Sequence, residues 1–285
     1  GFSVPAICRA LVLPEATVKK RLARTRERLQ GHTFAFPPAD QLPHAMDTVH
    51  TVIYLLFNEG FHSVDGESPM NLELCKEAIH LATLLVGEPR VVNQDTLGLL
   101  ALMNLQLARA GARLDADGRN VPIDLQDRSR WDAGPIGLAR GLVVAAQGAP
   151  AGASGRFLIE ARIAEQHCVA PTFADTNWPA IVALYDQLVE VTGSPIAELH
   201  RAVAVGYAGK IADAIARVNT LRAHEVLRAS HLPDAVLAHL WALAGDATAA
   251  RQHVEASCQR GGTPDERRIT RDQVARLLAG ARRRP

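Results

Sequence analysis

The sequence has few of the residues that staple, anchor or catalyse. Its four cysteines, Cys8, Cys75, Cys168 and Cys258, lie far apart and make no CxxC pair. That excludes a zinc ribbon and a disulfide framework, and it fits a reducing cytosol. Aromatic residues are only 5% of the 285-residue chain, which argues against a sandwich or barrel. No apolar run approaches the roughly 20 residues of a membrane span, and no signal peptide opens the chain. A cytoplasmic protein with no membrane partner is therefore expected. No GxSxG, HExxH, P-loop or GxGxxG occurs in a catalytic context, and His32, His44, His50, His62 and His80 fall at no metal-ligand spacing. Asp115-Ala116-Asp117-Gly118 lacks the later ligands and closing Glu of a calcium loop. Neither an enzyme, a cofactor nor a metal is expected.

What is abundant is Ala and Leu, with 48% apolar residues and a formal charge of +1. The reading is an all-α chain long enough for two or more domains. The neutral total hides an asymmetry: Lys19, Lys20, Arg21, Arg24, Arg26 and Arg28 crowd one short stretch, opposed there only by Glu15 and Glu27. Val4, Ile7, Cys8 and Leu11 recur at helical spacing behind Ser3 and Pro5, Pro14 breaks that helix, and a second runs from Glu15 to about Leu29 with Val18, Leu22 and Leu29 on one side. A short helix, a tight turn and a basic amphipathic helix make a helix-turn-helix, whose second helix enters the major groove by its N-terminal part.

GFSVPAICRALVLPEATVKKRLARTRERLQ resembles region 4 of the extracytoplasmic-function (ECF) sigma factors, which reads the −35 element of promoters. The resemblance implies that Glu15, Ala16, Thr17, Lys19 and Lys20 lie towards base edges, and Arg21 and Arg24 towards phosphates. Promoter DNA and core RNA polymerase are the implied partners. Region 2 of such factors has no counterpart here, so the chain is read as a fragment that starts inside region 4, residues 1–30.

Residues 31–43 read as a linker, with Gly31 ending the helix and Pro37-Pro38 stiffening the connection. Residues 44–132 read as a helical subdomain. Its first helix, from Ala45 to Gly60, is closed by a glycine after Asn58-Glu59. Its second runs from about Pro69 to Val86 and contains Leu72, Leu74, Ala78, Leu81 and Leu84. Its third, from about Gln94 to Ala112, is apolar nearly all round and therefore central. VIYLLFNEGFHS, CKEAIHLATLL, LGLLALMNLQLARAGARLDADG and QDRSRWD resemble the C-terminal extension of the ECF subgroup that carries a tetratricopeptide-like (TPR-like) domain behind region 4.

Residues 133–285 support that architecture by an internal repeat. Gly209 and Gly245 lie 36 residues apart, and each is followed five positions later by an alanine, Ala214 or Ala250. A glycine turn between paired helices at a period near 34 is the TPR signature. A weaker earlier unit pairs Phe157–Val169 with Trp178–Val191. Pro195 and Pro233 open helices, a helix from about Asp265 to Leu278 caps the array, and the final Arg-Arg-Arg-Pro reads as a solvated tail.

Leu114–Asp132 joins the halves and fits no period. Asp117-Gly118 marks a reversal or small hairpin. Asp127, Arg128, Arg130 and Asp132 flank Trp131, a pattern that suits an internal clasp of Arg–carboxylate pairs or a surface for a partner. A mixed arrangement, with Trp131 and one arginine holding the segment down and the other charges facing a partner, combines the two. The expected function is thus promoter recognition by an ECF-type sigma factor whose TPR-like domain regulates or supports initiation. A regulatory protein or peptide on that domain is a further candidate partner. The alternative is a TPR-like interaction scaffold that does not read DNA sequence.

Overall fold

The computed structural model describes the chain apart from residues 1–3, 5, 6, 9–12, 34, 62–69, 153, 154 and 282–285. Among the described residues there are thirteen α-helices and no strand. The expected Ser3-Pro5 cap, Leu11, Pro69 and the Arg-Arg-Arg-Pro tail lie outside the description. Val4, Ile7 and Cys8 are helical, and the Leu13 amide reaches back to the Cys8 carbonyl at 3.0 Å, a six-to-one closure of the kind that ends a helix. Pro14 is extended and α1 follows at once, Glu15–Leu29. Gly31, at φ +73°, turns the chain out of it.

Helices α2 (Leu42–Phe61), α3 (Leu72–Val86) and α4 (Gln94–Leu107) build the front bundle. Asn71 and Asn93 cap α3 and α4 by accepting the amides of Leu74 and Thr96, each satisfying a donor the first turn would strand. Every residue of α4 from Asp95 to Leu105 is buried, because it packs on α2, on α3 and on two helices that follow the connecting segment. This central helix stops earlier than Ala112. It breaks after Leu107 and resumes as a short α5, Ala110–Arg113.

Two contacts set how α2 and α3 pack. The inward face of α3 is Cys75, Ala78 and Ala82, while Leu72 and Leu84 are 41% and 57% exposed; small residues let α2 and α3 approach, and the leucines are left outside. Gly60 does not close α2 but lies within it, buried. A Cβ there would stand 2.8 Å from the Asn71 carbonyl and 2.9 Å from the Cys75 sulfur, so the glycine serves contact and not a turn.

The front core does not stop at Asp132. Helices α6 (Ala133–Ala146) and α7 (Arg156–Val169) supply Ala139, Val143, Phe157 and Ala161 to the same cluster as Phe57, Leu99 and Met103. α7 then pairs with α8 (Trp178–Thr192) to start the repeats, followed by α9 (Pro195–Tyr207) with α10 (Ile211–Leu221) and α11 (Leu232–Ala244) with α12 (Ala247–Arg260). Gly209 and Gly245, at φ +90° and +84°, form the equivalent turns of the last two pairs. Pro195 and Pro233 sit in first turns. Asp234, fully buried, draws Arg222, His253 and Arg260 together at 3.3, 2.8 and 3.3 Å and so ties α11 to the end of α10 and to α12. Helix α13 (Pro264–Ala281) covers α11 and α12 as a cap.

Ala214 and Ala250 are both buried. Ala250 lies among Ala238, Ala242, Val274 and Leu278, where three helices meet on small side chains. Ala250→Leu therefore overpacks that junction and lowers stability by about 1–3 kcal/mol; a urea melt with an unshifted midpoint would show that the position is not a crossing.

Candidate nucleic-acid interface

Helix α1 has one apolar anchor, Val18, which is 1% exposed. The rest of its surface is open. Glu15, Ala16, Lys19, Lys20, Arg21 and Arg24 are exposed and Thr17 is half-buried. Leu22 is half-buried, and Leu29, expected beside it, is 45% exposed. Lys19 reaches Glu15 at 2.6 Å across one turn, and its hydrogen bond and charge hold the Glu15 carboxyl below the usual range. Lys20, Arg21, Arg24, Arg26 and Arg28 make no ion pair with a described residue. Spacings of three and four set Thr17, Arg21, Arg24 and Arg28 in one row, with Lys20 beside it. Of the seven candidate DNA contacts, the structure thus brings six onto one solvated helix surface and engages two of them, Glu15 and Lys19, with each other.

The linker meets the body through Phe36, over which the Arg90 guanidinium lies at 4.2 Å. Arg90 is itself fixed by Glu88 at 2.8 Å.

The segment between the halves is built in two parts. In the first, Leu114 and Asn120 pair as an antiparallel bridge around Gly118 at φ +74°. The Asp115 carboxylate accepts the amides of Asp117 and Arg119 at 2.9 and 2.8 Å. This small hairpin leans on the far end of the chain. Asn120 donates to Asp265 at 2.7 Å and its carbonyl accepts from Arg268, while Asp124 takes Arg276 at 3.1 Å.

In the second part the expected Arg–carboxylate self-pairing is absent among the described residues. Arg128 instead donates to the carbonyls of His167 and Ala170, the latter at 2.8 Å. It thereby satisfies the C-terminal carbonyls of α7 and places a cation on the negative end of that helix. Its guanidinium lies 4.4 Å above the Trp131 ring, with Arg109 at 5.7 Å. Trp131 is buried. Asp127 and Asp132 are spent as caps, accepting the amides of Ser129 and Gly134, and the Asp132 amide bonds to the Ala108 carbonyl. Gln126, buried and unremarked in the sequence, bridges Arg109 to the Val121 carbonyl. Trp131 and Arg128 hold the segment down; Asp127, Arg130 and Asp132 are exposed. The carboxylates go to amides because each stands just before a helical start, Asp127 before the 3-10 turn Arg128–Arg130 and Asp132 before α6, where stranded donors lie within reach of a short side chain.

Residues 45–147 match a family of unknown function, DUF6596. The match starts three residues inside α2 and runs through the clasp to the end of α6, past Asp132 but short of the α7 residues that complete the front core. A curated protein of Rhizobium meliloti (strain 1021), described only as uncharacterized, is 36% identical over 211 residues, 72% of this chain and 48% of the relative. The chain spans about half the length of the curated relative it matches. No solved structure matches it.

Two expected outcomes follow from the clasp. Trp131→Ala removes a buried ring that Arg128 and Arg109 cover, and costs about 3–5 kcal/mol in a denaturant melt; Arg130→Ala, at an exposed position, shifts the same melt by less than about 0.5 kcal/mol. The second concerns acid. Burial first, and Arg109 and Arg128 next, push the His167 imidazole down to about 4, against about 6.5 in an unfolded chain. Between those values the unfolded state binds a proton that the folded state refuses. This contribution is complete above pH about 6.5 and is lost as pH falls towards 4, by up to about 1.4 kcal/mol per pH unit. His167→Gln should flatten the pH dependence of stability by about one proton, and identical slopes would place the acid sensitivity elsewhere.

Proposed function

We propose that the chain is part of an ECF-type sigma factor, in which α1 reads the −35 element of promoters while the helical body supports or regulates initiation with core RNA polymerase. The observation that carries this reading is the solvated basic row on α1 behind the Pro14 turn. It is an amphipathic recognition helix anchored by a single buried valine and otherwise free to meet a duplex. The charges Asp127, Arg130 and Asp132 lie exposed on a segment held rigidly by Trp131 and Arg128, and this is the surface we assign to polymerase or another part of the factor.

A peptide-binding scaffold is favoured less, since the hairpin at Asn120 and the residues up to Asp124 cross to α13 and obstruct the side of the repeats where TPR-like arrays take extended peptides.

Fluorescence anisotropy on a random-sequence duplex at several salt concentrations reads the phosphate contacts. Arg21→Ala and Arg24→Ala should each lower the salt slope by about 0.9, and Lys19→Ala by less, because Glu15 already engages that ammonium. Thr17→Ala should instead change the sequences recovered by selection from the same pool. Equal slopes for wild type and an Arg21→Ala/Arg24→Ala double variant would remove the phosphate assignment.

A further inference from the structure

A cavity of about 680 Å³ lies where the front bundle meets the first repeats, lined by α2, the α4–α5 junction, α7, α8 and the first turn of α9. Tyr54, Phe61, Tyr185 and Leu188 give it apolar walls. Its charged lining among the described residues is three arginines, Arg109, Arg113 and Arg156, against one acid, Glu160. That acid is taken by Arg156 at 2.6 Å. Arg109 makes no ion pair among the described residues. Its Nε donates to the neutral Gln126 at 3.2 Å. Its two Nη atoms have no hydrogen-bond partner there and, unlike the sealed Nη2 of Arg128, they keep accessible surface, on the wall of this cavity.

The charge of the site narrows the ligand. Arg113 follows Arg109 by four residues, one helical turn, so two guanidinium groups stand close together. Each is braced by a ring, Arg109 by Trp131 at 5.7 Å and Arg113 by Phe61 at 4.0 Å, which fixes the plane of a donor fork. The crowding of like charge is felt by their neighbours. Burial first, and Arg109 next, push Arg113 down to about 10, and His167 on the same lining is kept neutral at pH 7 by burial and by Arg109 and Arg128. Ser194, Ile196 and Ala197 add the first turn of α9, the positive end of a helix of 13 residues. A largely buried guanidinium with no counter-charge is costly, and an anion in the cavity removes that cost.

We propose that this cavity binds a small organic anion, with its phosphate or carboxylate head on Arg109 and Arg113 and its apolar body against Tyr54, Tyr185 and Leu188. The Nη edge of Arg109 offers the parallel donors that two oxygens of such a head accept. Three arginines against one acid leave the described lining two positive charges, which suits a phosphate dianion better than a carboxylate. The volume is that of a small-molecule site. The site is independent of the promoter reading, since none of these residues belongs to α1.

Calorimetric titration of the whole chain in a phosphate-free buffer with phenyl phosphate, benzoate and the neutral isostere benzamide tests this. Phenyl phosphate should bind one-to-one with Kd of about 0.01–1 mM, the range open to a ligand of roughly eleven heavy atoms. Benzoate should bind more weakly, and benzamide at least about tenfold more weakly than benzoate, because it brings the arginines no charge; benzoate as the tighter of the two anions would keep the site and assign it to carboxylates. Arg109→Gln should weaken phenyl phosphate at least about tenfold while circular dichroism shows the helices intact. Thr192→Glu, which sets a carboxylate at an exposed position of the lining and leaves the clasp untouched, should weaken it about fivefold, and it decides alone if Arg109→Gln does not fold. The Arg21→Ala/Arg24→Ala double variant should bind as wild type does. No saturable binding of either anion up to about 5 mM, benzamide as tight as benzoate, affinity undiminished in the folded cavity variants, or affinity lost in the α1 double variant would each overturn the assignment.

Discussion

The crossing of α4 and α7 leaves no room for a methyl group, and the body of the protein is arranged around that closeness. A Cβ on Gly98 would lie 2.4 Å from the Leu158 amide nitrogen. One turn away, Asp95 is 1% exposed and accepts the amides of Gly155 and Phe157 at 2.9 and 3.0 Å. A buried carboxylate is costly unless several donors meet it, and here the first turn of α7 provides them at the positive end of the helix dipole. The opposite end of α7 receives Arg128. One helix is thus clamped at its N-terminus by an anion from the front bundle and at its C-terminus by a cation from the connecting segment, each sign matching the dipole. Since α7 is also the first helix of the repeats, this clamp makes the bundle and the solenoid continuous.

Much of this was legible in the sequence, because periodicity and turn chemistry are local. The bounds of α1 were read from Pro14 and Gly31, the central burial of α4 from an apolar run with no polar face, and the repeat from two glycines whose positive φ a side chain would strain. The failures share a different cause. Gly60 looked like a helix end, but its reason lies in Asn71 and Cys75 on another helix. The apolar residues of α3 left its inward face open, and that face was decided by which residues are small enough for α2 to approach. QDRSRWD looked self-sufficient in charge, yet Arg128 found carbonyls some 40 residues on and the acids found amides. Long-range choices of that kind leave no local pattern.

Charge is distributed along the chain in a way that bears on how it meets a polyanion. Helix α1 carries six basic and two acidic residues, which leaves 25 basic against 28 acidic residues elsewhere. In the body, many of the arginines are committed: Arg128 to carbonyls, Arg222 and Arg260 to Asp234, Arg268 to Asp265, Arg276 to Asp124. A slightly anionic body with many of its arginines engaged offers DNA little to hold, and its weak net repulsion is screened beyond a Debye length. Affinity for a duplex then rests mainly on one helix of fifteen residues, with few phosphate contacts and little non-specific grip. Such a helix binds usefully only when something else supplies effective concentration, which is what a rigidly clasped body presenting Asp127, Arg130 and Asp132 to a larger assembly would provide.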